Sequence, residues 1–171
     1  MARKVSYVVQ YKRKREGKTD YKKRFSLLKS RKPRLVVRKS NKNMNTQIVG
    51  YAVDGDNVIA SANSRELEGY GWKLAKSNIP SAYLTGYMCG KKAMVKKIDS
   101  AVVDLGLQPV VKSSRLFAAV RGAIDAGLDI KAGDDIFEDN NRLMGGHIKI
   151  DKLDIPKEID KIKKKIDKKI K

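Results

Sequence analysis

A chain of 171 residues with 41% apolar side chains can build one hydrophobic core, not two. Its 39 Lys and Arg against 19 Asp and Glu leave a formal net charge of +20; self-repulsion of that size destabilises a lone compact chain, so a polyanion is the expected partner. One cysteine and one histidine exclude an intrachain disulfide and most zinc or nucleophilic-dyad chemistry, and no apolar run approaches the roughly 18–20 residues of a membrane span.

The charge is unevenly placed. Residues 1–42 carry 17 basic and 2 acidic side chains, residues 43–150 carry 13 and 12, and residues 151–171 carry 9 and 5. A nearly neutral globular domain is therefore expected over 33–150, behind a basic extension over 1–32 and ahead of a Lys-rich helix over 151–171. The apolar stretch near the start, five residues at most, is too short for a secretory signal. A soluble, intracellular, cytoplasmic protein is the expectation.

Taken in order, the extension interleaves Tyr7, Tyr11, Tyr21 and Phe25 with its charges. Low apolar content and like charges oppose independent folding, so the arm is expected to order on its partner. After Thr19, a short helix is predicted over Asp20 to Lys29, with Tyr21, Phe25 and Leu28 on one face for docking. Three strand-like runs follow, RLVVRKS (34–40), TQIVGYAV (46–53) and NVIASAN (57–63). Asp54-Gly55 marks a short hairpin connection between the second and third, while Asn41 to Asn45 forms a longer polar loop between the first two. The three strands read as an antiparallel meander.

Helical signals begin at Asn63, which forms a capping-box pattern with Glu66, and Leu67, Tyr70 and Leu74 keep one side apolar. A second helix is predicted from about Ser81 to Ile98, with Gly86 and Gly90 suited to close packing on a sheet. AVVDL (101–105) adds a strand. The next helix starts at Ser113 or Ser114 and stops at Gly127, with Leu116, Val120, Ala123 and Ile124 buried. At the end, Ile155, Ile159, Ile162, Ile166 and Ile170 fall on one stripe of a Lys-rich amphipathic helix, expected to pack on protein. This order implies an α/β fold, a mixed sheet covered by helices.

Chemistry-bearing patterns are sparse. Cys89 lies in an apolar helix and reads as a buried core thiol. The cluster Asp134, Asp135, Glu138 and Asp139 lacks calcium-loop spacing and reads as a solvated turn or helix start. Asp104 and Asp125 are lone carboxylates with structural roles to fill. No phosphate-binding loop, nucleophile elbow or dinucleotide fingerprint occurs. An enzyme is not expected, and neither a cofactor nor a small-molecule substrate is implied. Lys and Arg among aromatics suit RNA, which offers phosphates and splayed bases together. The loop Arg38-Lys39-Ser40-Asn41-Lys42 could present donors in a fixed array, and Tyr70 and Trp72 read as core.

The segments TDYKKRFSLLKSRKPRLVVRKSNK (19–42), EGYGWK (68–73), NIPSAYLTGYMCG (78–90), AVVDLGL (101–107), FAAVRGAIDAGLDI (117–130) and GGHI (145–148) occur in one order. Together they resemble the archaeal and eukaryotic 5S rRNA-binding family of the large ribosomal subunit, ribosomal protein L eighteen, called L five in eukaryotes. The resemblance implies a three-layer α/β domain that grips 5S rRNA in the central protuberance. It further implies contacts to the large-subunit 23S-type rRNA and to a neighbouring 5S-binding ribosomal protein. By position it assigns RNA contacts to Arg3, Lys4, Arg13, Lys14, Arg15 and Arg24 in the arm. It assigns Arg38, Lys39, Asn41 and Lys42 to the loop, and Gly145, Gly146 and His147 to a further turn. The short Lys-rich tail departs from the family, as does Lys131-Ala132, where relatives carry Pro-His. A general nucleic-acid chaperone and a nuclease-like enzyme are the alternatives from other classes.

Overall fold

The computed structural model describes residues 8–133, 136–137, 139–148 and 154–170. Strands β1 (Arg34–Lys39), β2 (Met44–Gly50) and β3 (Asn57–Asn63) form the expected antiparallel meander. A short β4 (Val102–Asp104) adds parallel to β1, giving a mixed sheet in the order β3-β2-β1-β4. The two connections differ from expectation in length. The β1–β2 turn spans only residues 40–43, because Ser40 Oγ accepts from the Asn43 amide and donates to the Asn43 carbonyl. The β2–β3 loop spans 51–56, since Tyr51 and Val53 point to solvent and leave the ladder early.

Strand alternation gives the sheet two unlike faces. Leu35, Val37, Thr46, Ile48, Ala60 and Ala62 face helices and are fully or nearly fully buried. Arg34, Val36, Arg38 and Gln47 face the other way, toward the N-terminal arm.

On the helical side, Asn63 and Glu66 close the predicted capping box. The element they start is a 3-10 helix, Ser64–Tyr70, rather than an α-helix. Gly71, at φ +97°, ends it in the left-handed region that glycine tolerates. Helix α3 (Ile79–Val95) begins earlier than predicted, because the Asn78 side chain caps the Ser81 amide and Pro80 sits in the first turn. Helix α4 (Arg115–Asp125) ends, as the sequence indicates, just before Gly127.

Gly86 and Gly90 pack on α4, not on the sheet as predicted. A Cβ at Gly86 would lie 1.9 Å from the Ala119 carbonyl oxygen, and one at Gly122 would lie 2.0 Å from that of Tyr83. The two helices thus touch backbone to backbone. Cys89 is buried in this layer, where loss of solvation pushes its thiol up to about 12, so it is an inert core group.

Beyond a short α5 (Asn140–Leu143), helix α6 (Ile155–Lys169) lays Ile155, Ile159, Ile162 and Ile166 against α3 and the 3-10 helix. Burying each such side chain is worth about 1.5–3 kcal/mol. Tyrosines border the seam: the Tyr87 hydroxyl donates to Asp167, and the Lys163 ammonium sits 4.6 Å from the Tyr83 ring centre. The Ile stripe therefore closes the core from the outside, as its spacing indicates. Among the described residues no helix is long and apolar enough to cross a membrane.

Candidate nucleic-acid interface

The described part of the arm folds back on the outer sheet face. Helices α1 (Lys12–Arg15) and α2 (Tyr21–Leu28) are short, and the Asp20 carboxylate caps α2 by accepting from the amides of Lys22 and Lys23. The predicted docking face is not the one used. Phe25 is 63% exposed, while Lys23, Arg24 and Leu27 turn toward the sheet. The reason is electrostatic: the carboxylates of Asp56 and Asp104 beneath the arm attract its cations more strongly than a small apolar stripe attracts its rings. Tyr21 instead leans on Tyr11, ring centres 5.1 Å apart.

A chain of ion pairs runs under α2. Arg24 donates to both oxygens of Asp56, each at 2.8 Å. Arg34, only 3% exposed, donates 2.7 Å bonds to Asp56 and to Asp104. Arg38 donates to the Asp104 carboxylate and carbonyl, and Lys23 donates to the Gly106 carbonyl. The two-toothed Arg24–Asp56 pair fixes geometry as well as charge.

The carboxyl groups respond accordingly. Hydrogen bonding from Arg24, reinforced by Arg34, holds the Asp56 carboxyl below the usual range. Burial pushes Asp104 upward, but the charge of Arg38, the Gly106 amide and Arg34 outweigh it, so Asp104 also titrates low. Carboxyl groups lowered by folding contribute stability that is complete above the ordinary aspartate value of about 4 and lost as pH falls through the lowered values. We expect unfolding free energy to be nearly flat from about pH 5 to 8 and to fall below about pH 4. Urea titrations across this range, repeated with Asp104→Asn, should show the acid limb shrink in the variant.

Between arm and sheet lies a cavity of about 320 Å³. Its lining includes Arg13, Lys18, Lys23, Arg24, Arg34 and Arg38 against three aspartates, so its walls are net cationic.

The site residues assigned from sequence fall into separate groups. Arg3 and Lys4 lie outside the described residues. Lys14 and Arg15 are exposed on α1, and Arg13 hydrogen bonds to Thr19 at the cavity rim. Arg24 and Arg38 are tied into the ion-pair chain. Lys39, Asn41 and Lys42 project from the tight β1–β2 turn and are exposed. Gly145, Gly146 and His147 are not brought to the arm. They form the turn after α5 on the helical side, where Gly145, at φ +74°, packs against Ile155 and Pro80, and His147 is exposed. Sequence reading missed Lys23, Arg34, Gln47, Asp56 and Asp104. One signal was present: Arg34 and Arg38 share a strand face, which an ordinary solvent-facing strand seldom fills with arginines flanking a valine.

Asp104 is engaged by arginines, and Asp125 accepts from the Tyr83 hydroxyl and pairs with Arg121. Asp134, Asp135 and Glu138 lie outside the described residues. Among the described residues no cluster of His, Cys, Asp and Glu could hold a metal ion.

Sequence comparison places a chain with this mixed-sheet domain and cationic arm among the proteins of the large ribosomal subunit. The chain belongs to the family described as "Ribosomal large subunit proteins 60S L5, and 50S L18", whose model matches residues 5–101. It is 49% identical over 148 residues to the large ribosomal subunit protein uL18 of Korarchaeum cryptofilum, covering 86% of this chain and 76% of that protein. The uL18 protein of Haloarcula marismortui is 48% identical over 148 residues, with 86% and 79% covered. That of Methanothermobacter thermautotrophicus is 37% identical over 192 aligned positions, with 99% and 100% covered.

Proposed function

We propose that this protein is a structural, non-catalytic component of the large subunit that binds 5S rRNA and anchors it in the central protuberance. There it would also touch the 23S-type rRNA and a neighbouring 5S-binding ribosomal protein. The observation that carries the reading is the concentration of a net +15 in residues 1–42 of a chain whose family is ribosomal. Arm and β1–β2 turn supply phosphate contacts, which release counterions and give affinity. Exposed Tyr11 and Phe25 supply faces for unstacked bases.

Lys39 and Lys42 allow a clean test, because neither takes part in the ion-pair chain. The double variant Lys39→Ala/Lys42→Ala should weaken 5S rRNA binding about ten-fold and lower the slope of log K against log salt by about 1.5, as expected for two lost phosphate contacts. An unchanged slope would remove the turn from the interface. Deleting residues 1–18 should have the larger effect in the same assay.

A further inference from the structure

We propose that the cavity between α2 and the outer sheet face is a pocket for one unstacked nucleotide of the bound RNA. The inference rests on the RNA-binding reading above and adds a specific site to it. At about 320 Å³ the cavity sits at the low end of small-molecule sites. It admits one nucleotide but not a duplex, so whatever RNA enters must be single-stranded or splayed there.

Three features of the lining point to a nucleotide rather than to a bare anion. The walls carry six cationic side chains against Asp20, Asp56 and Asp104, a net of +3 suited to a phosphate. Gln47 lines the cavity from β2, half-buried, and its amide has no hydrogen-bond partner among the described residues. A primary amide offers a donor and an acceptor side by side, the pattern that a base edge complements. The Arg38 guanidinium, in turn, rests against Gly106. A Cβ there would meet its Cζ at 2.9 Å, and φ at Gly106 is +62°. Arg38 remains 40% exposed, so its plane is open to a base, and RNA bases stack on guanidinium planes as they do on aromatic rings.

Arg34, 3% exposed, is held in the cavity floor by bonds from both terminal nitrogens to Asp56 and Asp104. Val36, Val49 and Leu107 provide apolar wall on which a sugar or base can lie. Phosphate, amide and guanidinium plane together fit the three parts of a nucleotide.

The test uses the full chain, isotopically labelled, titrated with each of the four nucleoside 5′-monophosphates and with inorganic phosphate at matched ionic strength. The expected result is a saturable shift of the Gln47 side-chain amide and the Arg38 Nε–H with at least one nucleotide, and little with phosphate. Gln47→Leu should weaken that nucleotide ten-fold or more while leaving the thermal midpoint in place. Prior addition of 5S rRNA should abolish the nucleotide response, because the RNA already fills the pocket. Equal shifts with phosphate, an unaffected Leu variant, or a pocket still open in the RNA complex would each overturn the inference. If 5S rRNA binds but no nucleotide does, the pocket falls and the RNA reading stands. If 5S rRNA does not bind, both fall.

Discussion

Replacing Gly122 with alanine should destabilise the domain by about 3 kcal/mol or more, as overpacking that no side chain can relieve. The new methyl would lie 2.0 Å from the Tyr83 carbonyl oxygen and 2.8 Å from the Tyr87 nitrogen, all of it backbone of α3. Gly86→Ala meets the mirror problem, 1.9 Å from the Ala119 carbonyl oxygen. Relief requires α3 and α4 to move apart, and that loosens Leu84, Met88, Leu116 and Val120, all of them core. For a chain of this size, about 3 kcal/mol corresponds to roughly 6–12 °C in Tm. Gly69→Ala is the control, since nothing lies within 4 Å of its Cβ position, and it should stay within about 0.5 kcal/mol. Thermal and urea unfolding of the three variants check the contrast. Equal stability of Gly69→Ala and Gly122→Ala would mean that the two helices do not cross at backbone contact.

The second large effect lies in the ion-pair chain under the arm. Arg34 and Asp104 are both nearly excluded from water, their side chains 3% and 9% exposed. Asp104→Leu leaves buried Arg34 with Asp56 alone and Arg38 with no carboxylate, so it should cost about 3 kcal/mol. Arg34→Met alone should cost less, because Arg38 still pairs with Asp104 and Arg24 with Asp56. The double replacement Arg34→Met/Asp104→Leu should recover most of the loss, since an apolar pair of similar volume avoids desolvating two charges. Such a cycle, measured by urea unfolding, separates the desolvated pair from mere bulk. Strictly additive losses would mean that the charges are solvated and that the chain of ion pairs does not hold the arm.

Much of the fold was written locally. The Val-rich run at 34–39, the Ile stripe of α6, the Asn63–Glu66 capping box and the glycine stop after α4 each depend on residues a few positions apart, and each appears where its pattern lies. Turn lengths were harder: the polar run 40–43 closes tightly through one serine hydroxyl, while Asp54-Gly55 looks like a hairpin but sits in a wider loop. What sequence could not show was partnership across distance. Asp56 and Asp104 stand 48 positions apart and read as a turn residue and a lone structural carboxylate, yet Arg34 lies between them. Their joint pull on Arg24 reverses the docking face of α2 and leaves Phe25 outside. Gly86 and Gly90 were recognisably close-contact residues, but their partner could not be read from α3 alone. As for the candidate interface, the exposed cations of arm and turn follow from the charge pattern, whereas the cavity floor, Gln47 with Arg34, emerges only when strand alternation sets those residues beneath the arm.

The central claim is that this cationic domain recognises one RNA rather than neutralising any polyanion. Binding of the full chain to 5S rRNA and to an equal mass of tRNA, across a salt series rising to physiological strength, tests it most directly. The account predicts a preference for 5S rRNA that persists at physiological salt, on top of a shared electrostatic decline. Equal affinities that collapse together as salt rises would contradict it and favour a general nucleic-acid chaperone.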